Sequence, residues 1–406
     1  MTDTTKMLLV FCDGTGMDGT LADGTSPVAT QYVTNVLRLS RAVKNHSASG
    51  RRQIVFYQSG VGTQADFDGN NIDNPLSQAL GTAVASKIRD AYVFVAQNYE
   101  EGDDICLFGF SRGAYTARKL SGLIEKIGLL ERERLGNFFG IWKDLMDGKA
   151  PVIPDGTRHP RIKCVGVWDT VGSVFNEINA LHLLDTFLPK TVDVALHALS
   201  IHENRARFLP TPWTIPDSGL AAKPDGTLQV IKQIWFPGAH SDVGGGYQRH
   251  ELADISLFWM AGEIKDFIDI DIDFLSRTRQ RSPDAWGTSQ PHNTFEELSL
   301  AEKIVIGVEN RLDAKFLTQE SIYHSSFLVS PTQIKPDADN MVTLDILKKK
   351  FGSGWQPTCA EMNATEQQCK TTWGGPSRKA PAGAPSPAAP APISFDTPSD
   401  LFGSLL

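Results

Sequence analysis

Ile105-Cys106-Leu107-Phe108-Gly109-Phe110-Ser111-Arg112-Gly113-Ala114-Tyr115-Thr116-Ala117-Arg118 is the stretch on which the fold turns. Asp104 to Gly109 reads as a strand, and Arg112 to Ile127 reads as a helix. A serine between two glycines, set between strand and helix, is the G-x-S-x-G pattern of a nucleophile elbow. So tight a turn leaves little room for a Cβ at Gly109 or Gly113. It strains the serine and lifts its hydroxyl above the sheet edge. The helix N-terminus beneath it favours negative charge.

Strands and helices alternate outward from this point. Met7 to Cys12 is continuously apolar, as suits a strand buried on both faces, and it stops at Asp13-Gly14-Thr15-Gly16. Gln53 to Tyr57, Arg161 to Trp168 and Leu228 to Phe236 read as further strands. Val33 to Val43, Ala83 to Tyr99, Glu131 to Met146, Val192 to Ile201 and Leu252 to Phe267 read as helices. The alternation predicts an α/β fold: a doubly wound, mostly parallel sheet with helices on both faces. The expected organisation is a catalytic unit over 1–330, of which 268–330 is an α-rich extension. A weakly defined C-terminal appendage follows over 331–373, then a Pro/Ala-rich tail over 374–406. That tail is too poor in large apolar residues to bury a core and is expected to be disordered.

The 406 residues are 41% hydrophobic and 21% charged, with 39 basic against 47 acidic side chains and a net charge of −8. These values exclude a disordered chain or a coiled coil, and argue against nucleic acid as a partner. Five cysteines form neither a disulfide framework nor a metal-binding spacing. With a polar Met1–Lys6 and an apolar run too short for a signal peptide, they fit a reducing, cytoplasmic setting. No apolar stretch is long enough to span a bilayer. Peripheral membrane contact stays open, although the acidic balance argues against unaided docking on anionic lipid.

A serine hydroxyl needs a base, and the base needs an orienting acid. On this architecture the chain order is serine, acid, histidine, each at the C-terminal end of a strand. Asp169 ends Ile162–Trp168, and the alternative for it is a helix N-cap. His240 follows the run that ends in Phe236 and precedes Gly244-Gly245-Gly246; the alternative is a turn-capping histidine. Asp242 is the second candidate acid, and His324 the second candidate base. The oxyanion donors would be the amide of Arg112 and that of Gly14 or Thr15, with a plain glycine turn as the alternative. The Arg112 side chain would meet a phosphate or carboxylate on the substrate, or else make a salt bridge at the helix start. Ile178 to Pro189 is a candidate lid, acyl-chain wall or core helix. Asp13-Gly14-Thr15 is also similar to part of the D-x-D-G-T pattern of the aspartyl-phosphate phosphatases, but Phe11 stands where their nucleophile would be.

Four segments occur in order: Phe11-Cys12-Asp13-Gly14-Thr15, Gly109 to Arg118, Gly166-Val167-Trp168-Asp169-Thr170-Val171-Gly172, and Trp235 to Tyr247. Together, over residues 7 to 330, they resemble a family of largely uncharacterised α/β-hydrolases. Its studied members include the catalytic domain of type VI secretion phospholipase effectors. Tyr57 to Thr63 and Ala198 to Pro210 also look like family segments. The first segment departs from the usual pattern, with Gly16-Met17 in place of an aromatic residue and Asn. The resemblance implies an α/β-hydrolase-like fold, a triad of Ser111, Asp169 and His240, and an ester or phospholipid substrate; no cofactor is expected. Two other readings remain open. One is a binding protein on a hydrolase scaffold; the other is a metal-assisted phosphohydrolase using Asp13, His240 and Asp242.

Overall fold

The computed structural model describes residues 5–19, 31–61, 76–172, 186–335, 340–352 and 354–374. Its strands are β1 Lys6–Cys12, β2 Arg52–Gln58, β3 Asp104–Phe110, β4 Ile162–Trp168, β5 Val192–Ser200, β6 Val230–Phe236, β7 Ile322–His324 and β8 Thr358–Ala360. They form one eight-stranded sheet in the order β2-β1-β3-β4-β5-β6-β7-β8, and every neighbouring pair is parallel. The helices are α1 Asn35–Ala42, α2 Leu76–Asn98, α3 Arg112–Ile127, α4 Phe138–Met146, α5 His240–Gly244, α6 Glu251–Ile264, α7 Ile272–Arg277, α8 Leu300–Ile306, α9 Leu344–Phe351 and α10 Ala364–Thr371.

The apolar strands read as they do because both of their faces are covered. In β1, Leu8, Val10 and Cys12 enter a core shared with α2, α3 and α4. Met7, Leu9 and Phe11 enter the opposite core, which α1, α6 and α7 close. A strand buried on both sides keeps its period of two, but every position is apolar. A third cluster, with Trp235, Tyr323, Phe327 and Leu347, seats β7, β8 and α9 against β6. The region 268–330 therefore holds two short helices and a strand of the main sheet. The region 331–373 supplies the edge strand β8 and the helices α9 and α10.

Val192–Ile201 corrects the sequence reading: it is strand β5 rather than a helix. Its apolar residues are divided among the cores, with Val192 and Ala195 in one, Leu196 and Ala198 in the second, and Leu199 and Ile201 in the third. A run apolar on both faces has no period to tell strand from helix. Glu131–Met146 is less uniform than a single helix, since a 3-10 turn over Arg132–Asn137 precedes α4. The candidate lid Ile178 to Pro189 lies mostly, and the Pro/Ala-rich tail almost wholly, outside the described residues. No helix among the described residues is long and apolar enough to cross a membrane.

The strand order places the site. Connections run to one side at β2 and to the other from β3 onward, so the loops after β1 and β3 diverge. In open parallel sheets the crevice between such loops, at the carboxyl ends of the strands, is where ligands bind. Asp13, Ser111 and Asp169 each directly follow a strand there, and His240 begins α5 just beyond β6.

Candidate active site

Ser111 sits at φ 58°, ψ −123°, between the last residue of β3 and the first of α3. A non-glycine residue in that region is strained and persists only where its surroundings enforce it. Here they do. A Cβ at Gly109 would lie 2.4 Å from the carbonyl oxygen of Gly113, and one at Gly113 would lie 2.1 Å from that of Cys12. The Ser111 amide also donates to the Trp168 carbonyl at 3.0 Å, carrying the β3–β4 ladder into the turn. The loop after β1 lies against the turn: a Cβ at Gly14 would sit 3.5 Å from that of Ser111.

His240 opens α5 and is buried. Its Nδ1 lies 2.6 Å from Asp169 Oδ2. Its ring is held between Phe110, at a centroid distance of 4.6 Å, and Phe208, at 5.3 Å. Phe110 directly precedes Ser111, so the ring stands beside the serine turn. Among the described residues the buried Nε2 has no hydrogen-bond partner, and no hydrogen bond joins it to Ser111. Such bonds are often long until a substrate is seated. Burial pushes the His240 pKa below the usual histidine value, while the bond and charge of Asp169 oppose it. The His240 amide donates to Glu203 Oε2 at 3.2 Å. Glu203 is itself paired with Arg205, whose guanidinium stacks 3.5 Å from the Phe208 ring centroid.

Asp169 is wholly buried and, like Ser111, has positive φ, at 40°. Its Oδ1 accepts from the Ser200 amide at 2.9 Å and from Arg311 Nη1 at 2.5 Å. Its Oδ2 accepts from Arg311 Nη2 at 2.8 Å, beside the His240 contact. Burial alone would raise its pKa; the charge and hydrogen bonds of Arg311, with those of His240, overcome that and hold the carboxyl well below the ordinary range. Arg311 has no counterpart in the sequence reading. It lies in an aperiodic polar stretch, 142 positions from its partner, and nothing local marks it.

The second candidates are placed elsewhere. Asp242 accepts from the Ala239 amide at 2.9 Å, which caps α5, and contacts His292 Nδ1 at 2.7 Å. His324 is buried between Ser326 Oγ, at 2.7 Å, and Glu366 Oε1, at 2.8 Å. Asp13 accepts from Tyr57, Thr34 and Gly14. Thus Asp13, His240 and Asp242 each face different partners. Among the described residues no group of three or more His, Cys, Asp or Glu is arranged to hold a metal ion.

Of the oxyanion candidates, the Gly14 amide is already engaged, donating to Asp13 Oδ1 at 2.7 Å. The amides of Thr15 and Arg112 meet no acceptor among the described residues, and the buried Thr15 hydroxyl also has no partner there. The Arg112 side chain is half-buried, which lowers its pKa to about 10, and no carboxylate among the described residues pairs with it.

Comparison with known proteins gives the chain its relatives. A family model described as the type VI secretion system phospholipase effector Tle1-like catalytic domain matches residues 6–263, more than half the chain. An uncharacterised protein of Saccharomyces cerevisiae, YEL023C, is 37% identical over 112 residues, which cover 25% of this chain and 16% of that protein. The structure of the Tle1 effector bound to the VgrG spike of the type 6 secretion system aligns at 19% identity and a TM-score of 0.34, over 60% of this chain and 51% of that one. An uncharacterised protein from Pseudomonas aeruginosa aligns at 20% identity and a TM-score of 0.35, over 64% of this chain and 45% of its own. The chain thus spans about half the length, or less, of these relatives. On the match over residues 6–263, it belongs to the Tle1-like phospholipase effector catalytic-domain family.

Proposed function

We propose that the chain is a serine hydrolase of carboxylic esters in lipids, phospholipids among them, acting through an acyl-enzyme. The observation that carries this reading is the 2.6 Å contact between His240 Nδ1 and Asp169 Oδ2, in a ring packed on the residue that precedes the strained Ser111. In this mechanism Ser111 Oγ attacks the ester carbonyl as His240 Nε2 takes its proton. Asp169, ionised at neutral pH, fixes the ring tautomer and balances the imidazolium. The amides of Thr15 and Arg112 stabilise the tetrahedral oxyanion. His240 returns the proton to the leaving alcohol, and water then releases the acid by the same steps.

The family supports a lipid ester as substrate. The Arg112 guanidinium, at the first position of α3, suits an anionic group on that substrate. The test is hydrolysis of short-chain esters and phospholipid vesicles by wild-type protein and Ser111→Ala. The variant is expected to lose about 10³-fold or more in rate. Equal activity in a folded Ser111→Ala protein would rule the mechanism out.

A further inference from the structure

Arg311 lies beyond residues 6–263, the span of the family model, yet it reaches the centre of the site. It is wholly buried. Nη1 contacts Asp169 Oδ1 and donates to the Ser200 carbonyl at 2.7 Å. Nη2 donates to Asp169 Oδ2 and to the Phe208 carbonyl at 2.9 Å. One planar fork thereby ties the carboxylate to the end of β5 and to the segment whose Phe208 ring packs on His240. A guanidinium can hold both oxygens of a carboxylate in a fixed plane; an ammonium cannot.

We propose that Arg311 is a positioning residue for the acid of the triad: its fork fixes the plane of Asp169 so that Oδ2 stays on His240 Nδ1, and its charge offsets part of the carboxylate's field at the imidazole. The inference rests on the serine-hydrolase reading. It makes the C-terminal extension a working part of the site, as well as the source of β7 beside β6. The offset has a definite sign. With Arg311 present, the Asp169 charge is divided between two partners, and His240 gains less stabilisation of its protonated form. Without Arg311 the whole carboxylate field falls on His240. The base then stays protonated, and idle, to higher pH. Among the described residues, the other charged or titratable groups that act on His240 or Asp169 are Glu203 and Arg205 after β5 and His197 on β5; Asp242, within α5, is turned to His292. All are retained in the variants below.

The experiment is the rate of covalent labelling by a fluorophosphonate, measured from pH 4 to 9 on wild type, Arg311→Lys and Arg311→Met. Each rate is scaled to the folded fraction found by thermal melting. Arg311→Lys keeps the charge but loses the fork, so its rate should fall roughly tenfold to a hundredfold with the pH midpoint unmoved. Arg311→Met loses both, and its midpoint should also rise by about one pH unit. If Arg311→Met does not fold, the rate and midpoint of Arg311→Lys alone decide. Variants that melt earlier but label at the wild-type rate and midpoint would show an anchor for the extension and overturn the proposal. A wild type that takes no label would instead bring down the serine-hydrolase reading, and this inference with it.

Discussion

Asp13 and Asp169 each directly follow the last residue of a parallel strand, at the same edge of the same sheet, and both are buried. Their surroundings differ. Asp13 accepts hydrogen bonds from Tyr57 Oη at 2.6 Å, Thr34 Oγ1 at 2.8 Å and the Gly14 amide at 2.7 Å, all of them neutral donors. Burial raises its pKa to about 6, against the pull of those bonds. Asp169 is equally removed from water, but the Arg311 fork and the His240 ring hold it ionised. Burial sets the penalty on a carboxylate; at Asp13 neutral hydrogen bonds offset only part of it, and at Asp169 the paired cation reverses it. A charged acid that can balance an imidazolium is therefore available after β4. After β1 the same residue type acts as a hinge pin, drawing β2, the start of α1 and the Gly14 loop together.

The largest effect should come from removing the charged member. Asp169→Asn deprives both Arg311 and His240 of their partner and permits the wrong ring tautomer, so kcat/KM for an ester should fall by roughly 10³- to 10⁴-fold. A loss of tenfold or less in folded protein would mean that the Asp169–His240 contact is structural.

The next tests the frame that holds both aspartates in place. A Cβ at Gly113 would lie 2.1 Å from the Cys12 carbonyl oxygen and 2.4 Å from that of Asp13. Gly113→Ala must force α3 away from β1, and should cost about 3 kcal/mol or more in urea unfolding. Wild-type stability in this variant would show that the turn is looser than described.

The subtlest separates the two carboxyls by pH. Asp13 has a folded pKa above its unfolded value of about 3.9. It favours folding most below that value, and this contribution is lost as pH rises through about 6. Asp169 has the opposite sign: its contribution is present above pH ~3.9 and lost as pH falls toward its depressed folded value. Asp13→Asn keeps an acceptor for Gly14 and removes the buried charge. It should therefore be more stable than wild type at pH 8, by on the order of 2 kcal/mol, with the gap closing by pH 4. A gap of reversed sign at pH 8 would mean that Asp13 is held as a carboxylate by a partner cation. Hydrolysis should change less than tenfold, because Asp13 lies outside the proposed proton path.

What can be read from sequence follows from how local its cause is. Ser111 is visible because its turn demands Gly109 and Gly113 within two residues on either side. Asp169 and the end of β6 before His240 are visible because each preceding segment closes on apolar residues, Val167-Trp168 and Ile234-Trp235-Phe236. Strand β5 is not, because a segment buried on both faces carries no helical or strand period. Strands β7 and β8 are three residues each, too short for a pattern to emerge. The Gly14 amide has the sequence position of an oxyanion donor, but it donates its hydrogen bond to the adjacent Asp13 carboxylate instead. Arg311 is beyond reach altogether, since its partner is set by packing of the extension and by nothing in its own neighbourhood.

The central claim is that Ser111 is an activated nucleophile, and covalent labelling tests it most directly. Wild-type protein would be treated with a fluorophosphonate, digested, and the modified peptide sequenced by mass spectrometry, with His240→Ala and Asp169→Asn run in parallel. One label per chain, located at Ser111 and largely lost in both variants, is the predicted result. A label on another residue, or one on Ser111 that survives unchanged in His240→Ala, would contradict the account.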